Sequence, residues 1–221
     1  MLPQIWKLID THTDKRSIMR AVAQVWDKDS AEYADIEMAY DDSFKGHRDQ
    51  WRHSGERYFR HILGVVTIVL LWLKIHDADV IIAAFLHDLP EDKPDNWTIR
   101  KIEGKYGKRV ARLVWALTKP NYIRYGGKTV RHARATVNKV RQGGRLAILL
   151  KLADRLHNLL TLWGTARKKH AKIDETTIYY LPLAHQHNVL WQELHLAIAE
   201  QIKSTHFDDA KDSEVGHEEV C

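Results

Sequence analysis

Cysteine is almost absent from this chain of 221 residues: the only one is the last residue, Cys221. No intrachain disulfide can form, so burial of apolar surface has to hold the fold, and a reducing cytoplasm is the expected compartment. Proline is scarce at five and glycine at eleven, and neither gathers into a linker. One domain over residues 1–204 is therefore expected rather than two. Long hydrophobic runs are lacking as well. The longest uncharged apolar stretch, Ile62 to Leu73, falls well short of the ~20 residues a membrane-spanning helix needs. The opening MLPQIWKLID lacks the basic-then-apolar order of a secretion signal. Neither a membrane span nor export is expected.

Charge is present but uneven. The net charge is +5, yet the seventeen residues from Thr205 carry six acids against Lys211 alone, which leaves +10 on the rest. Residues 205–221 are too polar to bury much area and are expected to form a disordered acidic tail. The basic remainder favours a polyanionic partner, such as a phosphorylated small molecule, nucleic acid or an acidic surface, without choosing among them.

Apolar residues recur at helical spacing along most of the chain, as in Val110, Leu113, Val114 and Leu117, or Leu190, Leu194, Ile198 and Ile202. No convincing strand pattern interrupts them. Breaks at Asp27 to Ser30, His76 to Ala78, Leu89 to Asn96, Gly104 to Lys108, Lys119 to Lys128, Gly143 to Gly144 and Leu181 to Pro182 divide the chain into roughly ten helices. The expected class is all-α, a helical bundle.

Two helices stand out. Asp79 to Asp88 is apolar on nearly all sides until His87 and Asp88, and Pro90 then stops simple continuation. Arg145 to Leu162 is also largely apolar, yet Lys151, Asp154, Asn158 and Thr161 fall on one narrow face at about 100° per residue. Polar groups on a buried helix need partners. HDLPED, from His87 to Asp92, offers an imidazole, three carboxylates and a turn. A His-Asp pair by itself fits a helix end whose histidine meets the last carbonyls. Glu91 and Asp92 directly after it favour a divalent-metal site with a nearby proton acceptor. Asp154 suits a further ligand on a separate helix, against the alternative of an ion pair with Lys151 or Arg155. His61, before the apolar helix of Ile62 to Leu73, suits a ligand or a simple cap. Imidazole with carboxylate favours Mn, Fe or Zn. His157 faces Leu150, Ala153 and Leu160, so packing is its expected role.

Five motifs in order carry a resemblance: R-x-SGE-x-Y-x-x-H at Arg52 to His61, HD-x-x-ED at His87 to Asp92, TK at Thr118 to Lys119, KLADRLHN at Lys151 to Asn158, and ET-x-x-x-Y-x-PLAH at Glu175 to His185. Over roughly residues 33 to 195 the chain resembles the hydrolase domain of the RelA/SpoT family. The resemblance implies an HD-type helical domain with bound Mn²⁺ that removes the 3′-pyrophosphate of ppGpp or pppGpp, releasing GDP or GTP and pyrophosphate. By motif position, His61, His87, Asp88 and Asp154 would hold the metal, and Glu91 and Asp92 would position or deprotonate the attacking water. Arg52, His53, Ser54, Asn158 and Thr161 would line the nucleotide pocket, and Lys119 and Lys151 would either neutralise phosphate charge or pair with a buried acid.

The chain departs from the family at His53, where a Lys or Arg is usual, and at Pro90, where an aliphatic residue is usual. The resemblance covers the hydrolase region only, so ppGpp synthesis is not expected. Two other readings stand beside it: the same site acting on another nucleotide, such as NADPH or a pyrophosphorylated tRNA end, and an inactive HD binding or antitoxin module. Apart from such a tRNA, nucleic acid is not the expected partner, and self-association is left open. Gly126 to Thr129 resembles a phosphate loop but lacks its first glycine and a preceding strand, so it reads as a loop. Most of the eight tryptophans, Trp72, Trp115, Trp163 and Trp191 among them, are expected to pack in the core. Arg131, Arg134, Lys139 and Arg141 read as a solvated basic face.

Overall fold

A computed structural model describes residues 1–120 and 130–215, with side chains as far as residue 205. The expected all-α class is borne out. Among the described residues twelve α-helices follow one another: α1 (Leu2–Thr11), α2 (Lys15–Val22), α3 (Ala31–His47), α4 (Phe59–Thr67), α5 (Ala78–Leu86), α6 (Leu89–Asp92), α7 (Ile99–Leu117), α8 (Val130–Gln142), α9 (Arg145–Leu160), α10 (Ala166–Glu175), α11 (Leu181–His187) and α12 (Trp191–Val215). Among the described residues the only extended pairing is an isolated bridge between Trp51 and Arg57. No helix there is long and apolar enough to cross a membrane.

Helix α9 is the centre of the bundle. Every residue from Ala147 to His157 is buried, and α4, α5, α7, α8 and α12 pack around it. Helix α5 is buried from Val80 to Leu86, which explains its lack of a polar face, and it lies between α3 and α7. Local chemistry sets the ends: the side chains of Asp77 and Thr98 accept from the backbone N–H of Val80 and Lys101, capping α5 and α7. Helix α4 approaches α9 through Gly64, where an added Cβ would stand 2.0 Å from the ring of His157. A side chain at residue 64 would separate the two helices that carry His61 and Asp154.

Most expected breaks coincide with helix ends, but three differ: the short helix α6, Leu89–Asp92, occupies the first half of the break expected from Leu89 to Asn96, with Pro90 in its first turn. Helix α7 continues through the expected break at Gly104 to Lys108 as one kinked element, with the kink at Gly107 (φ 85°). Leu181–Pro182 is not a break. A π-helical segment, Thr176–Tyr180, joins α10 to α11, and Pro182 falls in the first turn of α11, where a missing N–H leaves no bond unmade. Gly126 to Thr129 lies outside the described residues. Of the segment from Thr205, α12 takes in residues to Val215, and 216–221 are outside the described residues.

Candidate metal centre and active site

Four candidate ligands come together where α4, the α5–α6 junction and α9 meet. His61 lies in the first turn of α4, His87 caps α5, Asp88 begins α6 and Asp154 sits on the buried α9. All four are buried: 2 % exposed for His61, 1 % for His87 and 6 % for each aspartate. One ligand atom each from His61, His87 and Asp88 falls within a mutual 4.8 Å. Asp154 joins them through Oδ1, 3.3 Å from His61 Nε2, while Asp88 Oδ2 is 3.7 Å from that nitrogen and 3.2 Å from His87 Nε2.

The donor set fits a divalent cation. His87 Nδ1 donates to the carbonyl of Ala84 (2.8 Å), so in the neutral ring Nε2 bears the lone pair that faces the carboxylates. That buried Nε2 has no hydrogen-bond partner of good geometry. The helix-end reading of His87 is thus met by one ring nitrogen while the other is left for a ligand. His61 Nδ1 lies 3.0 Å from His157 Nδ1, so one ring supplies the proton and the other the lone pair. Burial and the neighbouring His61 hold His157 well below the usual imidazole range, so it stays neutral. With His61 donating, its Nε2 too is left as a lone pair. His157 therefore does more than pack, which corrects the expectation for it.

Protons and Lys151 balance the negative charge of the cluster. Burial disfavours the His87 imidazolium, but Asp88 and Asp154 more than offset this and push the ring up to about 9. Burial raises Asp88, but the charge and hydrogen bond of His87, joined by Lys119, together hold it well below the ordinary carboxylate range. Asp154 is held low against its burial by Lys151 and His61. The ion-pair reading of Asp154 is realised with Lys151, whose Nζ lies 2.8 Å from Oδ2, and not with Arg155, which forks onto Glu175 at 3.0 and 3.1 Å. Asp154 still presents Oδ1 to the cluster.

Next to this centre the polar stripe of α9 is fully engaged. Arg52 donates to Thr161 Oγ1 (2.6 Å) and Asn158 Oδ1 (3.0 Å), and the amide of Asn158 donates to Asp154 Oδ1 (2.5 Å). His53 and Ser54 are exposed on the turn after Arg52, in line with these groups along the chain but without a hydrogen bond to them.

Glu91 and Asp92 face a cleft of about 1220 Å³ that Thr118, Lys119, Lys168, Lys172, Glu175 and Tyr179 also line. Both oxygens of Glu91 are held by Lys119, from its backbone N–H (2.5 Å) and Nζ (2.7 Å). Partial burial opposes the Lys119 charge, but Glu91 and Asp88 keep it above the usual lysine value. Lys139 donates to the carbonyl of Thr118 and lies over the Trp115 ring, steadying this strap, so it is not merely part of a solvated face. Burial and Arg155 bring Lys172 down to about 8.

Several contributors escaped the sequence reading. Tyr58 donates its hydroxyl to Asp88 Oδ2 at 2.6 Å, and a relay runs from His47 Nδ1 to Gln50 Oε1 (2.8 Å) and from Gln50 Nε2 to Asp92 Oδ2 (2.9 Å). Tyr58 stands three residues before His61 inside the motif, a usable signal; His47 and Gln50 carry none. Trp163, 61 % exposed, Trp51, 57 %, and Trp115, 36 %, depart from the expected core packing. None is covered by an apolar layer: Arg57 lies over the Trp51 ring at 4.1 Å and Lys139 over the Trp115 ring at 4.7 Å, so charged side chains take the place of core packing there.

Comparison with known proteins identifies the family. Residues 39–190 match the family described as HD domain. The chain is 39 % identical over 153 residues to guanosine-3′,5′-bis(diphosphate) 3′-pyrophosphohydrolase of Aquifex aeolicus, covering 69 % of this chain and 21 % of that protein. It is 36 % identical over 155 residues to the bifunctional (p)ppGpp synthase/hydrolase SpoT of Escherichia coli, covering 68 % and 21 %. It thus spans about a fifth of the length of these relatives. A solved structure described as a metazoan ortholog of SpoT that hydrolyzes ppGpp superposes with a TM-score of 0.64 at 24 % identity, over 78 % of this chain and 96 % of that one. That likeness bears on the fold. Similar to SpoT-type hydrolases in sequence and carrying the buried His-Asp centre at the α5–α6 junction, the chain belongs to the HD domain family.

Proposed function

We propose that this protein is a metal-dependent hydrolase that removes the 3′-pyrophosphate of ppGpp or pppGpp, leaving GDP or GTP and pyrophosphate. The observation that carries this is the juxtaposition of a buried two-histidine, two-aspartate cluster with a cation-lined cleft and with the Arg52–Asn158–Thr161 ladder. The names of the relatives point the same way.

His61, His87, Asp88 and Asp154 would hold the ion, which we take to be Mn²⁺. When bound, such an ion withdraws charge from a phosphoryl oxygen and makes water a stronger nucleophile. The protein's own groups divide the remaining work. Arg52 is fixed by Asn158 and Thr161, presenting a flat cation to the nucleotide, with His53 and Ser54 on its rim. Lys119 offsets phosphate charge, held by Glu91. Asp92 uses Oδ2 to accept from Gln50, and its other oxygen is left to take the proton of the attacking water. Burial and the nearby Asp88 hold Asp92 above the usual carboxylate value, which suits a proton acceptor better than an ordinary aspartate. Water attacks the phosphorus next to the ribose 3′-oxygen, that P–O bond breaks, and the 3′-oxygen leaves as a hydroxyl once protonated. No serine or cysteine nucleophile is required.

The test is pyrophosphate release from ppGpp with Mn²⁺, with and without chelator, beside NADPH. Chelator-sensitive formation of GDP supports the assignment. Metal uptake with ppGpp untouched and NADPH cleaved moves the substrate, and no metal uptake at all removes the enzyme reading.

A further inference from the structure

A second, smaller cleft of about 470 Å³ lies on the other side of the α6 turn, lined by Asp42, Lys45, Gly46, Arg48, Asp49, Lys93, Asn96, Trp97, Lys101 and Lys105. It shares no lining residue with the cleft that Glu91 and Asp92 face. Five cations meet two carboxylates here, and the pairing is incomplete. Lys105 is bound to Asp42 Oδ2 (2.5 Å), Arg48 to Asp49 (3.1 Å), and Lys101 donates to the carbonyl of Asn96 (2.8 Å). Lys45 and Lys93 have no ion pair among the described residues, and no hydrogen bond there reaches the indole N–H of Trp97. The cleft therefore has a surplus of positive charge and unused donors.

We propose that this cleft is an anion site for a compact diphosphate or polyphosphate, with Lys45 and Lys93 as its principal charges and Lys101 at its wall. The size is near the lower end for small-ligand pockets. A nucleobase has no platform in it. Trp97 is only 9 % exposed, and Lys101 Nζ covers its face at 4.8 Å from the ring centroid, so the indole offers its N–H edge and not a stacking surface. Lys101 and Lys105, four residues apart, share one side of the start of α7, and Trp97 stands just before its N-cap Thr98. The acids already spoken for, Asp42 and Asp49, lower the net charge without cancelling it.

The position gives the site a line to the catalytic turn. Gly46 lies against Leu89 of α6, where an added Cβ would be 2.4 Å from Leu89 Cδ2. His47, between the lining residues Gly46 and Arg48, begins the relay through Gln50 to Asp92, and Lys93 directly follows Asp92. An anion drawn between Lys45 and Lys93 would pull α3 and the end of α6 together and so bear on the placement of Asp92. This inference does not depend on ppGpp being the substrate.

Inorganic pyrophosphate, titrated against the full chain in chelator, is the probe. It should raise the melting temperature of the wild type and of Lys119→Ala alike, the latter weakened only in the catalytic cleft. Lys45→Glu/Lys93→Glu should lose affinity on the order of tenfold or more, and added salt should weaken binding. GDP should bind no better than pyrophosphate. In the unaltered protein, pyrophosphate should shield Lys45 and Lys93 from amine acetylation read by mass spectrometry, a result that needs no variant to fold. Absence of binding, unshielded Lys45 and Lys93, or binding abolished by Lys119→Ala and unaffected by the double charge reversal would each overturn the proposal.

Discussion

Asp154 is in contact with Lys151, Asn158 and His61 at once, so its carboxylate is fixed before any ion arrives. Asp88 is held in the same way between His87 and the hydroxyl of Tyr58. Buried charges of this kind are strongly destabilising when one partner is removed, and they fix geometry when all are present. Asp88→Ala or Asp154→Ala should therefore abolish metal-dependent turnover and lower the bound metal measured by elemental analysis; full activity in either variant would remove the proposed centre. Glu91→Ala should behave differently, because both Glu91 oxygens serve Lys119 rather than the cluster. It should keep the metal and lose rate by roughly 10²–10³-fold, because Lys119 is no longer held where it offsets phosphate charge. At this scale much of the site was legible in the sequence. His87, Asp88 and Asp154 stand out because a polar side chain on an apolar helix has to be explained, whereas His61, open between ligand and cap, joins them only through the order of the motifs. His47, Gln50 and His157 were not legible, since each acts through a partner brought near only by the fold.

Helices α4 and α9 meet at the one place where α4 has no side chain to interpose. A methyl group on Gly64 would lie 2.0 Å from His157 Cδ2 and Nε2, far inside van der Waals contact, so the ring or the helix must move. Alanine gains about 1 kcal/mol over glycine in a helix interior. Overpacking a buried contact costs about 1–3 kcal/mol and here also displaces the ring behind His61, so the clash should win. Gly64→Ala should lower the melting temperature by several degrees, at about 2–4 °C per kcal/mol for a chain of this size. In a His157→Ala background the same change should cost much less, and equal losses in both backgrounds would sink the contact argument. The helical periods and the stop at Pro90 could be read in advance. The π-helical segment Thr176–Tyr180 could not, because nothing local marks it: it is what lets Pro182 follow α10 without ending the run.

Across the whole molecule, positive charge is what acid conditions would exaggerate. The chain holds 34 Lys and Arg and 14 His, and protonating its carboxylates leaves these cations to repel one another. Outside the His-Asp cluster, Glu175 is a carboxylate well placed to resist this. It joins α10 to the buried Arg155 of α9 and to Lys172 (3.1 Å), while Arg155 rests on the Tyr180 ring at 4.0 Å. Burial tends to raise Glu175, but Arg155 and Lys172 outweigh it and hold it at about 2, against an ordinary value of 4.5. A carboxyl held low in the folded state stabilises it fully above its ordinary value and loses that contribution as pH falls toward the folded value. With the side chain still 31 % exposed, the contribution is about 1–2 kcal/mol. The wild type should therefore lose stability between about pH 4.5 and about pH 2. Glu175→Gln should be less stable than the wild type at neutral pH, with the difference closing over that interval. Denaturant melts at neutral pH and at several points through the acid range measure both slopes. Parallel curves for the two proteins would show that the Arg155–Glu175 tie does not couple α9 and α10 to proton binding.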